Sequence, residues 1–325
     1  MEKSQKIRWG IIGAGKIATK FASDLSTSQT GELVAVASTS LQRAQEFALK
    51  FDAEFAFGSY EEIFSVEIDA IYVATPHTFH KEHTLLCLNH GVAVLCEKPF
   101  GMDEDEVKEM IQLAKSKNVF LMEAMWTRFL PSTLKTLELI ESGAIGEVVT
   151  IYADFGFRAD FDPESRLYNM KLGGGAFLDI GIYPAFLSLL ILGYPTGIQA
   201  TSTFSPTGSD ITTSFIYAYD NLSTAVLNCT VASETHSEAI IYGSKGHIIL
   251  HKRFHEARKL TLVNSDGEEQ VFDFSRDTFG YNYEIEEVNH CLANGKKESD
   301  LMTQELSLKL IHLLDQTRAA AGIKY

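Results

Sequence analysis

Cysteine, positive charge and long apolar runs are all scarce in this chain of 325 residues. Its four cysteines include no Cys-x-x-Cys pair, so neither a zinc ribbon nor a disulfide framework is expected. Lys and Arg number 28 against 43 Asp and Glu, and the net charge of -15 disfavours nucleic acid and anionic membranes as main partners. The longest apolar run, residues 185–192, is too short to cross a bilayer, and the N-terminus lacks a signal-peptide pattern. We therefore expect a soluble, cytoplasmic protein.

Apolar residues make up 45% of the chain, which is enough for two globular domains at this length. Up to residue 124, nearly continuous apolar runs alternate with amphipathic stretches, as in βαβ units around a parallel sheet. The runs are Ile7–Ile12, Leu33–Ala37, Ala70–Ala74, Val92–Cys96 and Val119–Met122. Ahead of the last run, Asp103 can cap a helix that has Glu106 at the capping-box position. The pattern predicts a doubly wound domain over residues 1–124.

The pattern changes in residues 125–325, where extended runs follow one another too closely for crossover helices. These runs lie near residues 147–157, 197–205, 211–219, 223–232, 237–242 and 246–251, with helices at about 134–142, 281–293 and 302–321. Turn signals such as Pro206-Thr207-Gly208 separate the runs. We expect an α+β domain with an open, mostly antiparallel sheet.

A glycine-rich segment directly follows the first predicted strand and opens a helix. It reads G-x-G-x-x-A, with Gly13, Gly15 and Ala18 at the defined positions, and Lys16 and Ile17 between them. The first glycine permits the tight turn, the second lets a pyrophosphate approach the backbone, and the alanine allows close packing of helix and strand. In this context the motif predicts a Rossmann domain that binds a nicotinamide dinucleotide.

The end of the second predicted strand bears on which dinucleotide is bound. A carboxylate there would select NAD by bonding the ribose 2′-hydroxyl, but the chain has Ser38, Thr39 and Ser40, followed by Arg43. Hydroxyl groups and a guanidinium suit a 2′-phosphate, so NADP is favoured, with NAD left open. In the alternative interpretation, Ser40 only caps the next helix and Arg43 is solvated.

Further polar segments follow the predicted strands or open a helix. They are Thr75-Pro76-His77, Glu97-Lys98-Pro99, Trp126-Thr127-Arg128 and the run from Gly173 through Asp179 to Tyr183-Pro184. His77, His80, His83 and Cys87 also fall at helical spacings, but without supporting carboxylates, so no metal site is expected. With these segments the whole chain resembles the Gfo/Idh/MocA oxidoreductases. Tyr183, the Trp126–Phe129 segment and the Lys297-Glu298-Ser299 region together resemble the branch of dimeric dihydrodiol dehydrogenase and NADP-dependent D-xylose 1-dehydrogenase.

The resemblance implies roles for individual residues. Lys98 and Tyr183 would be the catalytic pair, with Pro99 holding the lysine loop. Asp179 would face the substrate together with Arg166, and we count it among the catalytic residues. Pro76, His77, His80, Trp126 and Arg128 would line the nicotinamide end of the cofactor. We add Thr75 and Glu97 to the cofactor residues, and Phe155 and Arg158 to those that shape the substrate pocket. The resemblance also implies a homodimer formed through the C-terminal sheet.

The expected reaction follows from this set of residues. Oxidation of an alcohol needs a base for the hydroxyl proton, and a tyrosine with its ordinary pKa of about 10 needs a nearby cation for that task. We expect a sugar (at C1 of an aldose), a cyclic polyol or a dihydrodiol as the substrate of an NADP-dependent dehydrogenase. Two alternatives remain: a hydrolase of glycosides that uses its nicotinamide transiently, and a cofactor-binding regulator without turnover.

Overall fold

The computed structural model describes residues 6–325, which divide into two compact units. The first unit contains the chain up to Trp126 together with Asp277–Leu308, and the second contains Thr127–Arg276 and Lys309–Tyr325. The expected boundary at residue 124 lies close to the point where the chain leaves the first unit. The expected domain 125–325 is not continuous, however, because residues 277–308 return to the first unit.

The first unit is built on a six-stranded parallel sheet. Its strands are β1 (Ile7–Ile12), β2 (Gly31–Ala37), β3 (Phe55–Phe57), β4 (Ala70–Val73), β5 (Ala93–Glu97) and β6 (Leu121–Ala124). Its first four helices are α1 (Lys16–Leu25), α2 (Leu41–Phe51), α3 (His80–Asn89) and α4 (Glu104–Lys117). The strand order β3-β2-β1-β4-β5-β6 confirms the doubly wound fold. The sequence reveals every strand except β3, whose three residues are too few to form a recognisable apolar run.

Helix α4 shows how local sequence determines an element of this unit. The Asp103 carboxylate accepts the Glu106 N–H at 2.9 Å, and three acidic residues occupy the first turn, where the helix dipole favours them. Val107 and Met110 lie on the buried face. Asn118, with φ at 55°, ends the helix in the left-handed conformation. The predicted cap is confirmed.

Helix α7 (Asn282–Ala293) belongs to the first unit although the sequence predicts it within the second domain. The Asp24 carboxylate accepts the amide protons of residues 279–281 at 2.8–2.9 Å, so α1 caps the N-terminus of this later helix. The Trp9 indole N–H donates to Asn289 at 2.9 Å from the other direction. These contacts join segments that are more than 250 residues apart, which no periodicity of the helix itself can indicate.

The second unit carries an eight-stranded sheet. Its strands are β7 (Val148–Gly156), β8 (Gly197–Phe204), β9 (Asp210–Ala218), β10 (Thr224–Thr230), β11 (Ala239–Gly243), β12 (Gly246–Leu250), β13 (Lys259–Asn264) and β14 (Glu269–Asp273). The order is β14-β13-β12-β11-β7-β10-β9-β8, and β7 and β10 form the single parallel pair. The expected open, mostly antiparallel sheet is confirmed. The last two strands lie beyond the runs that the sequence reveals, and β14 is mostly exposed.

Helix α6 (Ile182–Leu192) packs on β7 and β10 and follows a wide π-helical turn at Phe177–Gly181. The segment Met170–Leu192 is long and apolar enough to cross a membrane by length and composition. Most of it is buried inside the protein, however, as in the core helix of a globular domain. Helices α5 (Pro131–Glu141) and α8 (Gln304–Ala321) complete the described chain.

Candidate active site

The glycine segment forms a cradle at the carboxyl end of β1. Gly13 has φ at +98°, and a Cβ atom there would lie 2.8 Å from the Ala74 carbonyl oxygen, so no other residue fits without a shift. A Cβ at Gly15 would meet nothing within 4 Å, which leaves the approach to the backbone open. No side chain caps α1, so the amides of its first turn can receive an anion. These residues fit the pyrophosphate of a dinucleotide.

The end of β2 presents hydroxyl groups and one guanidinium. Arg43 donates to the Thr39 hydroxyl at 2.9 Å, and both side chains are exposed. Ser38 is buried, and its hydroxyl accepts the Ser40 N–H at 3.4 Å. The Ser40 hydroxyl in turn caps α2 by accepting the Arg43 N–H. Ser40 is therefore a helix cap, as the alternative interpretation expects, and Thr39 and Arg43 form an exposed polar pair; the preference for NADP stays a prediction.

Lys98 lies in a short segment after β5, the lysine loop (Glu97–Phe100), at the same edge of the parallel sheet as the glycine cradle. Glu97 is buried, and one oxygen of its carboxylate accepts the Lys98 N–H at 3.1 Å. The other oxygen accepts the phenol proton of Tyr72. Burial and the nearby Glu97 carboxylate raise the pKa of Tyr72, so this phenol stays protonated and remains a donor. The first residue of the loop is therefore held by a buried hydrogen bond.

His80 connects the lysine loop to the segment after β4. Its ring is fully buried, with Nδ1 2.7 Å from the Pro99 carbonyl oxygen and Nε2 2.8 Å from the Thr75 carbonyl oxygen. Burial lowers the pKa of His80 to about 4, against the effect of the two carbonyl groups, which raise it. The resemblance places His80 at the nicotinamide, but in the structure both ring nitrogens lie within hydrogen-bonding distance of backbone carbonyl oxygens, and the neutral ring donates its one N–H to one of them. We therefore assign this side chain a supporting position behind the two loops.

The other histidines near β4 show no arrangement for a metal. His83 Nδ1 lies 3.0 Å from the Thr75 hydroxyl, and Cys87 is fully buried in α3. His77 is also buried, with its ring centroid 5.7 Å from that of His80. Within residues 6–325 no three His, Cys, Asp or Glu side chains group together as metal ligands.

Trp126 and Arg128 follow β6 in a single turn of 3-10 helix, Trp126–Phe129. The Trp126 ring is buried and stacks on Tyr281, with centroids 4.8 Å apart and planes inclined by 11°. Arg128 is partly exposed. Tyr281 comes from the returning segment of the first unit, so this contact depends on a part of the chain that the sequence assigns elsewhere.

Asp179 and Tyr183 lie four residues apart where the π-helical turn runs into α6, so they project to nearly the same side. Arg166 binds Asp179 through both guanidinium nitrogens, each 2.9 Å from a carboxylate oxygen. The Arg166 side chain is 45% exposed, whereas Asp179 is 10% exposed. The two residues predicted to face the substrate thus form a bidentate ion pair with each other.

Tyr183 is 6% exposed and belongs to a group of three aromatic rings. Its ring centroid lies 5.7 Å from Phe155 and 4.8 Å from His255, and the latter two stack at 4.1 Å. The Thr127 hydroxyl donates to the His255 carbonyl oxygen at 2.7 Å. Sequence analysis misses His255, because it lies between two strands without any motif or spacing that would single it out. Arg158, by contrast, is exposed, and its N–H donates to Glu234 at 3.3 Å.

Comparisons with known proteins agree with this architecture. The family described as "Oxidoreductase family, NAD-binding Rossmann fold" matches residues 7–125, and the GFO/IDH/MocA C-terminal domain matches residues 133–249. The chain is 39% identical to a trans-1,2-dihydrobenzene-1,2-diol dehydrogenase of Danio rerio and 33% identical to that of Homo sapiens. In both cases the match covers 98% of this chain and 98% of the relative.

Solved structures share the fold over almost the full length. A 3-ketoreductase from Actinomadura kijaniata, in complex with NADP and TDP-benzene, has a TM-score of 0.88 at 24% identity, with 98% of both chains covered. The aldose-aldose oxidoreductase from Caulobacter crescentus, complexed with glycerol, has a TM-score of 0.89 at 20% identity and the same coverage. The chain therefore belongs to the Gfo/Idh/MocA oxidoreductase family and is an NAD(P)-dependent enzyme that acts on CH–OH groups.

Proposed function

We propose that this enzyme is an NADP-dependent dehydrogenase that acts on C1 of an aldose, a cyclic polyol or a dihydrodiol. The observation that carries the proposal is the shared edge of the parallel sheet, where β1 ends in the glycine cradle and β5 ends in the lysine loop. Ligands of doubly wound sheets bind at this edge. Relatives named trans-1,2-dihydrobenzene-1,2-diol dehydrogenase, identical at 33–39% of positions, support a hydroxyl-bearing substrate.

The nicotinamide, when bound, supplies or accepts the hydride. In the proposed scheme Tyr183 exchanges the proton of the substrate hydroxyl, and the Lys98 ammonium assists by favouring the charged form of the phenol. Asp179, oriented by its two contacts with Arg166, offers the carboxylate that positions a second hydroxyl of a diol or sugar. Phe155 presents an aromatic surface beside Tyr183, against which a ring can pack.

A substrate screen tests this proposal. Aldoses, inositols and trans-dihydrodiols are each incubated with the enzyme and NADP, and formation of reduced nicotinamide is followed by absorbance. We expect at least one class to be oxidised. If no compound reduces the cofactor, and glycosides instead release free sugar without a change in nicotinamide absorbance, the transient-nicotinamide hydrolase replaces the dehydrogenase.

We also propose that two copies pair through the outer face of the eight-stranded sheet. The register aligns apolar residues in one row across four neighbouring strands: Ile240 opposite Tyr152, Tyr152 opposite Val226, and Val226 opposite Ile216. Tyr152 and Ile216 are 49% and 42% exposed. A continuous apolar row on an exposed sheet face is typical of a protein interface, and a second copy offers the same row.

Light scattering at micromolar concentration measures the oligomeric state. We expect a dimer for the parent and a monomer for Val226→Glu, because a charge in the middle of the row would be buried without a partner. Leu49→Glu, on an exposed site of α2 in the first unit, serves as the control and should stay dimeric. A monomeric parent would contradict the proposal.

We propose a cytoplasmic location as well. All four cysteines are buried and unpaired, which suits a reducing compartment. Fractionation of cells that express the full chain at native level checks this, and recovery in a secreted or membrane fraction would contradict it.

A further inference from the structure

Glu123 contacts the lysine loop, although neither the glycine cradle nor the proposed proton transfer requires it. The residue lies near the end of β6, and the parallel register with β5 sets its Cα opposite Cys96. Glu123 is 2% exposed. Its Oε1 accepts the Phe100 N–H at 3.2 Å. A carboxyl group from a neighbouring strand is thus bonded to the last residue of the loop.

Few other backbone groups of the lysine loop could donate a hydrogen bond in place of the Phe100 amide. Buried amide groups outside helices and strands need partners, and Pro99 has no amide proton to offer. The first backbone donor beyond Lys98 is therefore the Phe100 amide, which Glu123 accepts. On the other side, the Lys98 amide is accepted by Glu97. Two buried carboxyl groups thus hold the backbone immediately before and after the lysine side chain.

Glu123 also responds to the charges around it. Burial raises its pKa to about 7, while the Ser307 hydroxyl and the Phe100 amide lower it. Of the ionisable neighbours, Glu97 raises the pKa and Lys98 lowers it, and Glu123 in turn raises the pKa of the Cys96 thiol. The protonated group accepts a hydrogen bond less strongly than the carboxylate does. The hydrogen bond between the Phe100 amide and Glu123 therefore strengthens as Glu123 ionises.

We propose that Glu123 is a positioning residue for Lys98: by anchoring the Phe100 amide, it fixes the lysine loop in the arrangement that the reaction uses. The inference rests on the proposed role of Lys98. It adds a residue that touches neither substrate nor cofactor in the proposed scheme. It also predicts that loss of the hydrogen bond between Glu123 and the Phe100 amide displaces the lysine more than it weakens cofactor binding.

Two substitutions of Glu123 distinguish the effect of its hydrogen bond to the loop from the effect of its burial. Glu123→Gln keeps an oxygen that can accept the Phe100 N–H but cannot titrate, whereas Glu123→Leu removes the acceptor. Glu284→Leu is the matched control, because Glu284 is a fully buried glutamate of the same unit whose carboxyl oxygens make no hydrogen bond in the structure. The readouts are kcat, KM for NADP, and the rate at which acetic anhydride labels Lys98, measured by mass spectrometry in the folded protein.

We expect Glu123→Leu to lower kcat by about 10- to 100-fold, since displacement of a catalytic group by about 1 Å has effects of this order. The labelling rate of Lys98 should change at least several-fold, while KM for NADP changes less than kcat. Glu123→Gln should restore most of kcat, and Glu284→Leu should match the parent in all three readouts. A Glu123→Leu variant with parental kcat and parental labelling would overturn the proposal.

The labelling experiment also distinguishes this proposal from the proposed function. If Lys98→Met leaves turnover unchanged, the assigned role of the lysine fails, yet labelling of Lys98 still reports whether Glu123 positions the loop. If Glu123→Leu does not fold, Glu123→Gln decides. In the parent, the rate at which Lys98 is labelled should change near pH 7, where Glu123 titrates, and the glutamine variant should lack this change. The same change in both proteins would overturn the proposal.

Discussion

Lys98 follows a buried strand and is held through backbone contacts to carboxyl groups, whereas Tyr183 stands on a helix among aromatic rings. In the first unit the supporting contacts are directional hydrogen bonds that the Lys98 and Phe100 amides donate to Glu97 and Glu123. In the second unit the rings of Phe155 and His255 pack against Tyr183. Hydrogen bonds specify position sharply and fail when one partner is lost, while packing yields gradually. The lysine should therefore be the more easily misplaced of the two groups.

The largest effect is expected from Tyr183→Phe, which removes the proposed acid/base group without changing the ring. Turnover should fall about 1000-fold, within the range known for loss of general acid–base catalysis. The NADP dissociation constant, measured by fluorescence titration, should stay near the parental value. Tyr219→Phe is the control, since its hydroxyl bonds Ser188 in the core of the same unit. Equal turnover in the two variants would remove Tyr183 from the mechanism.

Lys98→Met should lower turnover about 100-fold, as expected when a preorganised charge is removed from a reacting centre. The pH dependence of kcat tests the direction of this effect. Oxidation needs the deprotonated phenol, and without the cation the phenol loses its proton only at higher pH. The rise of kcat with pH should therefore move to higher pH in Lys98→Met but not in Lys115→Met, a control on the exposed face of α4. An unshifted profile would contradict the assistance by Lys98.

Arg43→Ala tests the preference for NADP over NAD. Arg43 lies near the expected site of the adenosine ribose, away from the nicotinamide. Loss of one charge-assisted contact to a 2′-phosphate should weaken NADP binding about 10- to 100-fold. NAD lacks that phosphate, so its affinity should hardly change. Lys50→Ala, in the last turn of α2, controls for loss of surface charge. A parent that binds NAD more tightly than NADP would refute the assignment.

Glu284→Leu tests the cost of a buried carboxyl group in the first unit. Burial and the nearby Glu97 and Asp24 raise the pKa of Glu284 well above its ordinary value of 4.5. The folded state therefore keeps a proton that the unfolded chain releases above that pH, so the parental stability falls as pH rises. The slope contributed by this group is at most about 1.4 kcal/mol per pH unit. Urea unfolding between pH 5 and about 8 should show a shallower decline in the variant; equal slopes would contradict the prediction.

Of the substitutions expected to lower turnover, Phe155→Leu should have the smallest effect, because it only loosens the packing around Tyr183. Stability should fall by about 1 kcal/mol and kcat by less than about 10-fold, because α6 still holds the phenol in place. Denaturant unfolding and steady-state kinetics measure both. If this variant loses more turnover than Glu123→Leu, the contrast between the two kinds of support is wrong.

Local sequence predicts much of the first unit because its signals are short-range. The Asp103 cap, the buried stripe of α4 and the glycine cradle each involve residues within a few positions of one another. The sequence does not predict the contact between Arg166 and Asp179: it places both residues at the substrate but does not show that they bind each other. His255 could not be found, because its contact with Tyr183 joins segments more than 70 residues apart.

Local sequence patterns specify the two kinds of sheet, the dinucleotide cradle and the residue types available for oxidation of a hydroxyl. These depend on periodicity and on spacing along the chain, which persist whatever the chain does elsewhere. Tertiary structure alone decided that residues 277–308 return to the first unit, where Asp24 caps α7, and that His80 and Glu123 hold the lysine loop. Buried polar groups take whichever partner the fold brings within hydrogen-bonding distance, and that partner can lie anywhere in the chain.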